Sequence, residues 1–498
     1  MLIKKDPDLL KTYLEDSSNL KGGYAEEAVL PESAEELSSF LKEADAKKLP
    51  VTISGGGTNT TGSRIPFGGA VLSLEKLNKV VEVSRAGMSA ILQTGVMVDD
   101  LKKACETEEL FYTCHPTENT ASVGGTVATN ASGARSFKYG STRKYVRSLK
   151  MVLPSGEMFN IRRGERILSK NDSRITLGSG RVIDVPLPAY KMPNVKSSAG
   201  YFAKDGMDLI DLFIGQEGTL SVIVEIGMGL VERPSKILSS FVFFRTEEDA
   251  WRFAAEAREI SKRNDLRNVQ ASISALSIEY FSREALGLLQ AKKTVLPKEA
   301  QGAIFFEQEV EPGKKEDAVL DEWLKLIVKH DSSADDTWVA MTEKETENFL
   351  ALRHAIPESV NDIVRRNGFR KISTDIAVPD GTALEMMRFY TDTLKGEALE
   401  HVIFGHIGEN HVHANILPRS EEEDARGREI AMKFIRKGIS LGGTVSAEHG
   451  IGKIKHKYLE EMYGKAGILE MARIKKAFDP NCILGLDNIF PKEVLSLA

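Results

Sequence analysis

The sequence predicts an α+β fold in two parts: a strand-rich first part built around glycine-rich loops, and a second part with an antiparallel sheet that caps it. Three observations carry this expectation. The chain has 498 residues, enough to bury two sizeable cores and too many for one compact domain. Up to Glu232, short apolar runs are separated by glycine-rich turns. After Glu232-Arg233-Pro234-Ser235, a plausible boundary, strand patterns alternate with long helical ones, which suggests an antiparallel sheet with helices on one face. The expected divisions are 1–232, 233–455 and a helical C-terminal segment, 456–498, that packs back on the first.

Composition narrows the class. It is that of an ordinary soluble globular protein, and a net charge of −6 gives no reason to expect nucleic-acid binding. The three cysteines, Cys105, Cys114 and Cys482, lack cluster or zinc-ribbon spacing and fit a reducing compartment. Met1 to Ser18 is charged throughout, with no apolar core of a secretory signal, and no run approaches the roughly twenty apolar residues of a membrane span. A cytoplasmic location is expected, with at most peripheral membrane association.

Taken in order, Ser33-Ala34-Glu35-Glu36 is a capping box, and Leu37, Phe40, Leu41 and Ala44 follow at helical spacing up to Lys48. A strand over 49–53 runs into Ser54-Gly55-Gly56-Gly57-Thr58-Asn59-Thr60-Thr61-Gly62. Glycines there let backbone N–H groups crowd an anion, although the loop is neither a Walker loop nor a dinucleotide fingerprint. Short strands follow at Val71–Leu74, Val80–Val83 and Ala90–Gly95. From Ala121 to Ser136 no position carries a long apolar side chain, so the backbone must closely approach a ligand or another backbone. A hairpin is expected across Leu149–Leu153 and Met158–Ile161, and a buried strand after the glycine turn in Phe213–Glu225. In the second part, strands are expected at Ile237–Phe244, Ala303–Val310, Ile376–Pro379, His401–His406 and His411–Leu417. Helices are expected at about 247–264, 315–330, 343–366, 382–395 and 422–441.

The densest chemistry lies in Phe404-Gly405-His406-Ile407-Gly408-Glu409-Asn410-His411-Val412-His413-Ala414-Asn415, followed by Ser446-Ala447-Glu448-His449-Gly450-Ile451-Gly452. His411, His413 and Asn415 alternate with Val412, Ala414 and Ile416, the period of a half-buried strand. A turn at Gly408-Glu409-Asn410 would let His406 converge on that face. Two imidazoles with Glu448 form a donor set suited to one divalent Zn, Mn or Fe ion, and either His411 or His413 could serve beside His406. The competing reading is a set of hydrogen-bonded structural histidines.

The loop at 54–62, the run Val123-Gly124-Gly125-Thr126-Val127-Ala128-Thr129-Asn130 and the segment Phe213–Val224 resemble the FAD-linked oxidase fold typified by vanillyl-alcohol oxidase. That resemblance implies a two-part FAD-binding domain. It places Gly55, Gly56, Gly57, Thr58 and Asn59 on the pyrophosphate, Ser122, Gly124, Gly125, Thr126 and Asn130 along the flavin, and Ile223 near the adenine. Ser54, Thr60, Ser132, Tyr139, Gly140, Glu217 and Gly218 complete the expected FAD lining. Thr58 and Asn59 stand where some relatives carry a flavin-linked histidine, so non-covalent FAD is expected; His115 and Cys114 are the other candidates for attachment.

His406 to His413 is similar to the HxGDGNxH motif of D-lactate dehydrogenases, D-2-hydroxyglutarate dehydrogenases and the FAD subunit of glycolate oxidase. Glu448-His449-Gly450-Ile451-Gly452 matches their EHGxG, Thr374–Pro379 their TDVxVP, and Phe478-Asp479-Pro480 their FDP. Two departures stand out: Glu409-Asn410-His411 replaces Asp-Gly-Asn, and the closing NPGK is absent. The resemblance implies oxidation of a small D-2-hydroxy acid, with metal on His406, His413 and Glu448, proton acceptance by His449 and carboxylate binding by Arg353. Asn415, Lys371 and His411 are further substrate candidates. Electrons would pass to a quinone, a cytochrome, an electron-transferring flavoprotein or a partner subunit, and a homodimer is compatible with the sequence. A catalytic subunit of a larger electron-transfer complex, or a non-redox enzyme like alkyl-dihydroxyacetonephosphate synthase, is the alternative.

Overall fold

The computed structural model of the chain describes residues 1–114, 118–269, 271–310 and 314–498. Its N-terminal part is built on two larger sheets, beside three two-stranded ones. The first runs Leu2–Lys4, Glu27–Leu30, Ala70–Ser73, Val51–Ser54, with the first pairing antiparallel and the other two parallel. Helix Ala34–Lys47 supplies the crossover between Glu27–Leu30 and Val51–Ser54. Ser33 caps it by accepting from the Glu36 N–H, Leu37, Phe40, Leu41 and Ala44 are buried, and Lys48 ends it at φ 52°. The second sheet is antiparallel, in the order Val80–Ser84, Ser89–Gln93, Val222–Gly229, Val146–Val152, Met158–Arg162.

The small-residue stretch resolves into close backbone packing. Ser122 caps the helix Val123–Ala128, and a Cβ at Gly124 would lie 1.8 Å from Thr94 Oγ1. A Cβ at Gly56 would lie 2.6 Å from the Thr120 carbonyl, so the two glycine segments stack on each other.

The second part is built on a seven-stranded antiparallel sheet, in the order Thr337–Ala340, Lys236–Phe244, Gly302–Val310, Ala275–Phe281, His401–His406, His411–Ile416, Ile372–Ser373. Helices cover both of its faces, not one. Phe241, Phe243, Phe281 and Phe305 pack against Leu286 and against Ile356 and Val360 of helix Glu343–Asn367. Phe244 and Phe306 pack on the other side against Trp251, Phe253 and Trp323. The reason lies in runs such as Ser240-Phe241-Val242-Phe243-Phe244, which are buried at successive positions and therefore need cover on both sides.

Within this sheet, two strands of four residues or more have no counterpart in the sequence reading, Ala275–Phe281 and Thr337–Ala340. In the former, Ser277 and Glu279 interrupt an otherwise apolar run, yet all seven residues are buried. The expected strand at Ile376–Pro379 does not form; Ile372–Ser373 takes the sheet edge, and only Ala377 bridges to His411. The diversion has a cause: the Asp375 carboxylate turns inward and gathers hydrogen bonds from the 446–449 loop.

The two parts are joined by a polar clasp around the short helix Ser136–Tyr139. Arg135 makes a two-pronged pair with Glu307 at 2.7 and 3.0 Å, and Lys138 reaches Asp265 at 3.0 Å. Removing one member of such a buried pair costs about 3–5 kcal/mol, because the other is left uncompensated. The C-terminal helix His456–Phe478 packs Phe478 on Phe213, with ring centroids 5.3 Å apart. Beyond it, Leu484 bridges to Val51 of the first sheet.

Candidate active site

The hairpin His401–His406/His411–Ile416 turns through Ile407–Glu409, with Asn410 at φ 53°. Its register sets His406 opposite His411 and His413 opposite Phe404. Directly opposed residues share a face, and residues two apart on a strand do too, so all three imidazoles point the same way. The neighbouring strand continues this face with Glu279.

Each ring is oriented from behind. His406 Nδ1 lies 2.5 Å from Glu279 Oε1, and His413 Nδ1–H donates to the Thr374 carbonyl at 2.8 Å. Both Nε2 atoms therefore face Glu448, at 3.4 Å from His406 and 3.3 Å from His413. His411 places Nε2 2.9 Å from Asp375 Oδ1 and Nδ1 3.9 Å from Glu448 Oε2. Neither of its buried nitrogens makes a hydrogen bond of good geometry. The candidate ligand atoms of His406, His411, His413 and Glu448 all lie within 4.8 Å of one another.

This arrangement fits a cation. Burial holds His413 below the usual histidine range, and His411 falls to about 3 through burial and the nearby Lys196 ammonium. A neutral His413 that donates from Nδ1 aims its Nε2 lone pair at a carboxylate oxygen, which is repulsive unless positive charge sits between them. Burial opposes protonation of His406 as well, but the flanking carboxylates Glu448 and Glu279 push it up to about 9. Glu448 itself is held well below the usual carboxylate range: burial opposes this, and Lys196 and His406 outweigh it.

Two carboxylates organise the 446–452 loop. Asp375 accepts from the Glu448 and His449 N–H groups at 3.2 and 3.1 Å, from Ser446 Oγ at 2.7 Å and from Lys455 Nζ at 2.6 Å. It also lies 3.3 Å from His449 Nδ1, leaving Nε2 of that ring 3.4 Å from Glu448. Glu217 accepts from the Ile451 and Gly452 N–H groups at 2.7 and 2.8 Å and from Ser63 Oγ at 2.8 Å.

Arg353, on the helix over the sheet, gives its Nε and Nη2 to Glu279 at 2.5 and 3.2 Å. Lys196 lies 2.7 Å from Glu409 and 3.3 Å from Glu448. Glu279, Asp375 as an orienting group, and Lys196 were missed in the sequence. Glu279 left a signal as a charge inside an apolar run, and Asp375 lies in the Thr374–Pro379 motif; Lys196 left none.

One cavity of about 500 Å³ runs from the glycine loops to this cluster. Gly55, Gly56, Gly57, Thr58, Asn59, Thr60, Ser122, Gly124, Gly125, Thr126, Ser132, Glu217, Gly218 and Ile223 line one end. Arg353, Lys371, His406, His413, Asn415, Glu448 and His449 line the other. The remaining expected site residues stand off its wall. Ser54 ends a strand, and Asn130, at φ 48°, accepts from the Arg143 N–H. Tyr139 turns its hydroxyl to Glu309, Gly140 ends a helix at φ 85°, and His411 sits behind the cluster. Each of these is engaged in holding the framework beside the cavity. Cys114 is buried, with burial pushing its thiol up to about 12, a poor state for attachment chemistry; His115 lies outside the described residues.

The fold and this cavity define a flavoenzyme of the FAD-linked oxidases: residues 234–486 match the C-terminal domain of that family and 25–162 match an FAD binding domain. The chain belongs to that family, and the named relatives it matches are dehydrogenases and an oxidase subunit. A D-lactate dehydrogenase of Anaerostipes hadrus is 30% identical over 93% of this chain and 89% of its own. The glycolate oxidase subunit GlcD of Bacillus subtilis is 28% identical with the same coverage, 93% and 89%. A D-2-hydroxyglutarate dehydrogenase of Stutzerimonas stutzeri is 26% identical over 97% and 95%. Among solved structures, p-cresol methylhydroxylase superposes with a TM-score of 0.72 at 14% identity, covering 99% of this chain and 94% of that one. An alkyldihydroxyacetonephosphate synthase gives a TM-score of 0.66 at 17% identity, covering 97% and 83%. Both show the shared fold. No helix among the described residues is long and apolar enough to cross a membrane.

Proposed function

We propose that this chain oxidises a D-2-hydroxy acid of the lactate or glycolate class to the 2-oxo acid, using non-covalent FAD and one divalent Zn, Mn or Fe ion. The carrying observation is that His406, His413 and Glu448 converge on the cavity that the glycine loops line, with His449 beside them and braced by Asp375. Bound FAD would accept the hydride leaving the substrate carbon, while an ion on His406, His413 and Glu448 would acidify the hydroxyl.

The chain's own groups do the rest. His449 takes the hydroxyl proton at Nε2, because Asp375 keeps the ring's proton on Nδ1. Arg353, pinned by Glu279, presents a fixed guanidinium to the substrate carboxylate. Asn415 and Lys371 line the same end. His411 serves from behind, steadying Asp375 and the carboxylate cluster, and is not itself a ligand in this reading. The electron pair taken from the substrate would then pass to a quinone, a cytochrome or an electron-transferring flavoprotein, or to a partner subunit, while the 2-oxo acid departs.

Anaerobic mixing of the purified flavoprotein with D-lactate, glycolate and D-2-hydroxyglutarate tests this reading. Bleaching of the oxidised flavin band by at least one of them is expected. A flavin that stays oxidised with all three overturns the reading and favours a non-redox enzyme on the same fold.

A further inference from the structure

Beyond the metal cluster, the cavity has a cationic outer wall to which no role has been given. Arg370, Arg428 and Tyr458 all line it, and Lys371 lies between them and the cluster. Arg370 has no hydrogen-bond or ion-pair partner among the described residues, and its Nε is buried without one. Lys371 and the Tyr458 hydroxyl have none either. Arg428 is held by Asp424 through Nε at 2.7 Å and Nη2 at 3.1 Å. Burial, then the like charge of Arg428, pulls Arg370 down from its usual range. Arg370 is half-buried, with its Nε shut off from solvent, and an unpaired guanidinium held so beside a second cation is stabilised by an anion that joins them.

The sheet supplies a track to this wall. His413 and Asn415 lie two apart on one strand, Asn415 is opposite Ser373, and Arg370 and Lys371 lead directly into that edge strand. An extended molecule whose hydroxyl end lies at the histidines would thus carry its far end past Ser373 and Lys371 towards Arg370.

We infer that Arg370, Arg428 and Tyr458 form a second anion site, which holds a carboxylate or phosphate at the distal end of the 2-hydroxy acid. This rests on the 2-hydroxy-acid reading above, and within the 2-hydroxy acids it moves the substrate away from lactate and glycolate to acids with two anionic ends.

The test compares D-lactate, D-2-hydroxyglutarate and 3-phospho-D-glycerate as substrates of the wild-type flavoprotein and of Arg370→Gln. The wild type should favour one of the two dianionic acids over D-lactate by about tenfold or more in kcat/KM, and which one it favours tells carboxylate from phosphate. Arg370→Gln should lose about tenfold or more on that acid, through KM, and stay within about twofold on D-lactate with full FAD content. A wild type that prefers D-lactate, or a variant equally impaired on all three acids, overturns the inference. So does loss of FAD from the variant, which would assign the arginine to the cofactor's phosphates. If no 2-hydroxy acid reduces the flavin, the functional reading falls by itself, and the anion site is judged by thermal shift with glutarate and with inorganic phosphate. A rise in Tm in the wild type that Arg370→Gln abolishes upholds it; no rise in the wild type overturns it.

Discussion

Asp375 holds His449 from the side away from the cavity: its carboxylate lies 3.3 Å from Nδ1 and also accepts the His449 backbone N–H at 3.1 Å. Ring and backbone are fixed by one group, so the tautomer and the position of the proposed base are set together. Asp375 is well below the usual carboxylate range, because Lys455 and His449 outweigh its burial. Asp375→Asn keeps the shape and offers Nδ1 an amide instead of a carboxylate. We expect flavin reduction to slow by about a hundredfold or more with KM little changed and FAD retained. Stopped-flow reduction reads this; an unchanged rate would remove His449 from the base role.

The metal assignment is tested by two substitutions of opposite effect. Glu448→Gln keeps volume but removes the charge that both Nε2 atoms face, and should strip the ion and the activity while FAD remains. His411→Asn should keep the ion, because His411 stands behind the cluster and is not a ligand in this reading. Elemental analysis of both variants decides: metal lost from His411→Asn but kept in Glu448→Gln would make His411 the ligand.

Arg353→Lys keeps positive charge but loses the planar fork that Glu279 grips at 2.5 and 3.2 Å. A fall of about tenfold to a hundredfold in kcat/KM is expected, with FAD content unchanged. Normal turnover would mean that the carboxylate is bound elsewhere.

The Arg135–Glu307 clasp carries a pH signature. Burial opposes ionisation of Glu307, but Arg135 outweighs it and holds the carboxyl below its usual value. A depressed carboxylate stabilises the fold fully above its unfolded pKa, about 4.3, and that contribution is lost as pH falls through the lower folded value. Wild-type Tm should therefore drop steeply below about pH 4.3. Glu307→Gln should start lower at neutral pH and decline less over the same range. Parallel curves for the two proteins would show that the clasp does not contribute.

What the sequence revealed was local. The N-cap at Ser33, the glycine loops and the histidine knot each declare themselves within a few residues, and the structure forms them where expected, although Glu36 turns its carboxylate to the Glu32 N–H and leaves the expected capping box half made. What it hid was assembled across the chain. Glu279 meets Arg353 over 74 residues and His406 over 127, and Asp375 meets the Glu448 backbone over 73. Strand Ala275–Phe281 was hidden for a related reason: polar Ser277 and Glu279 disguise a strand whose polar residues are satisfied only by distant partners. The segment at Ile376–Pro379 misled in the opposite sense, since its apolar pattern suits a strand while Asp375 is recruited elsewhere.

The turn Ile407–Asn410 has a further consequence. His406 and His413 share a face only because the hairpin reverses direction in register; the spacing alone would have separated them. One residue inserted or deleted in the partner strand's register would send His411 and His413 through the sheet to its opposite side and leave His406 behind. Identity there is more forgiving than length. Asn410 adopts a left-handed turn at φ 53°, at the position where the related motif has glycine, and Glu409 reaches Lys196 where that motif has the shorter aspartate. Such a loop can drift in chemistry, and with it in substrate, so long as its residue count stays constant.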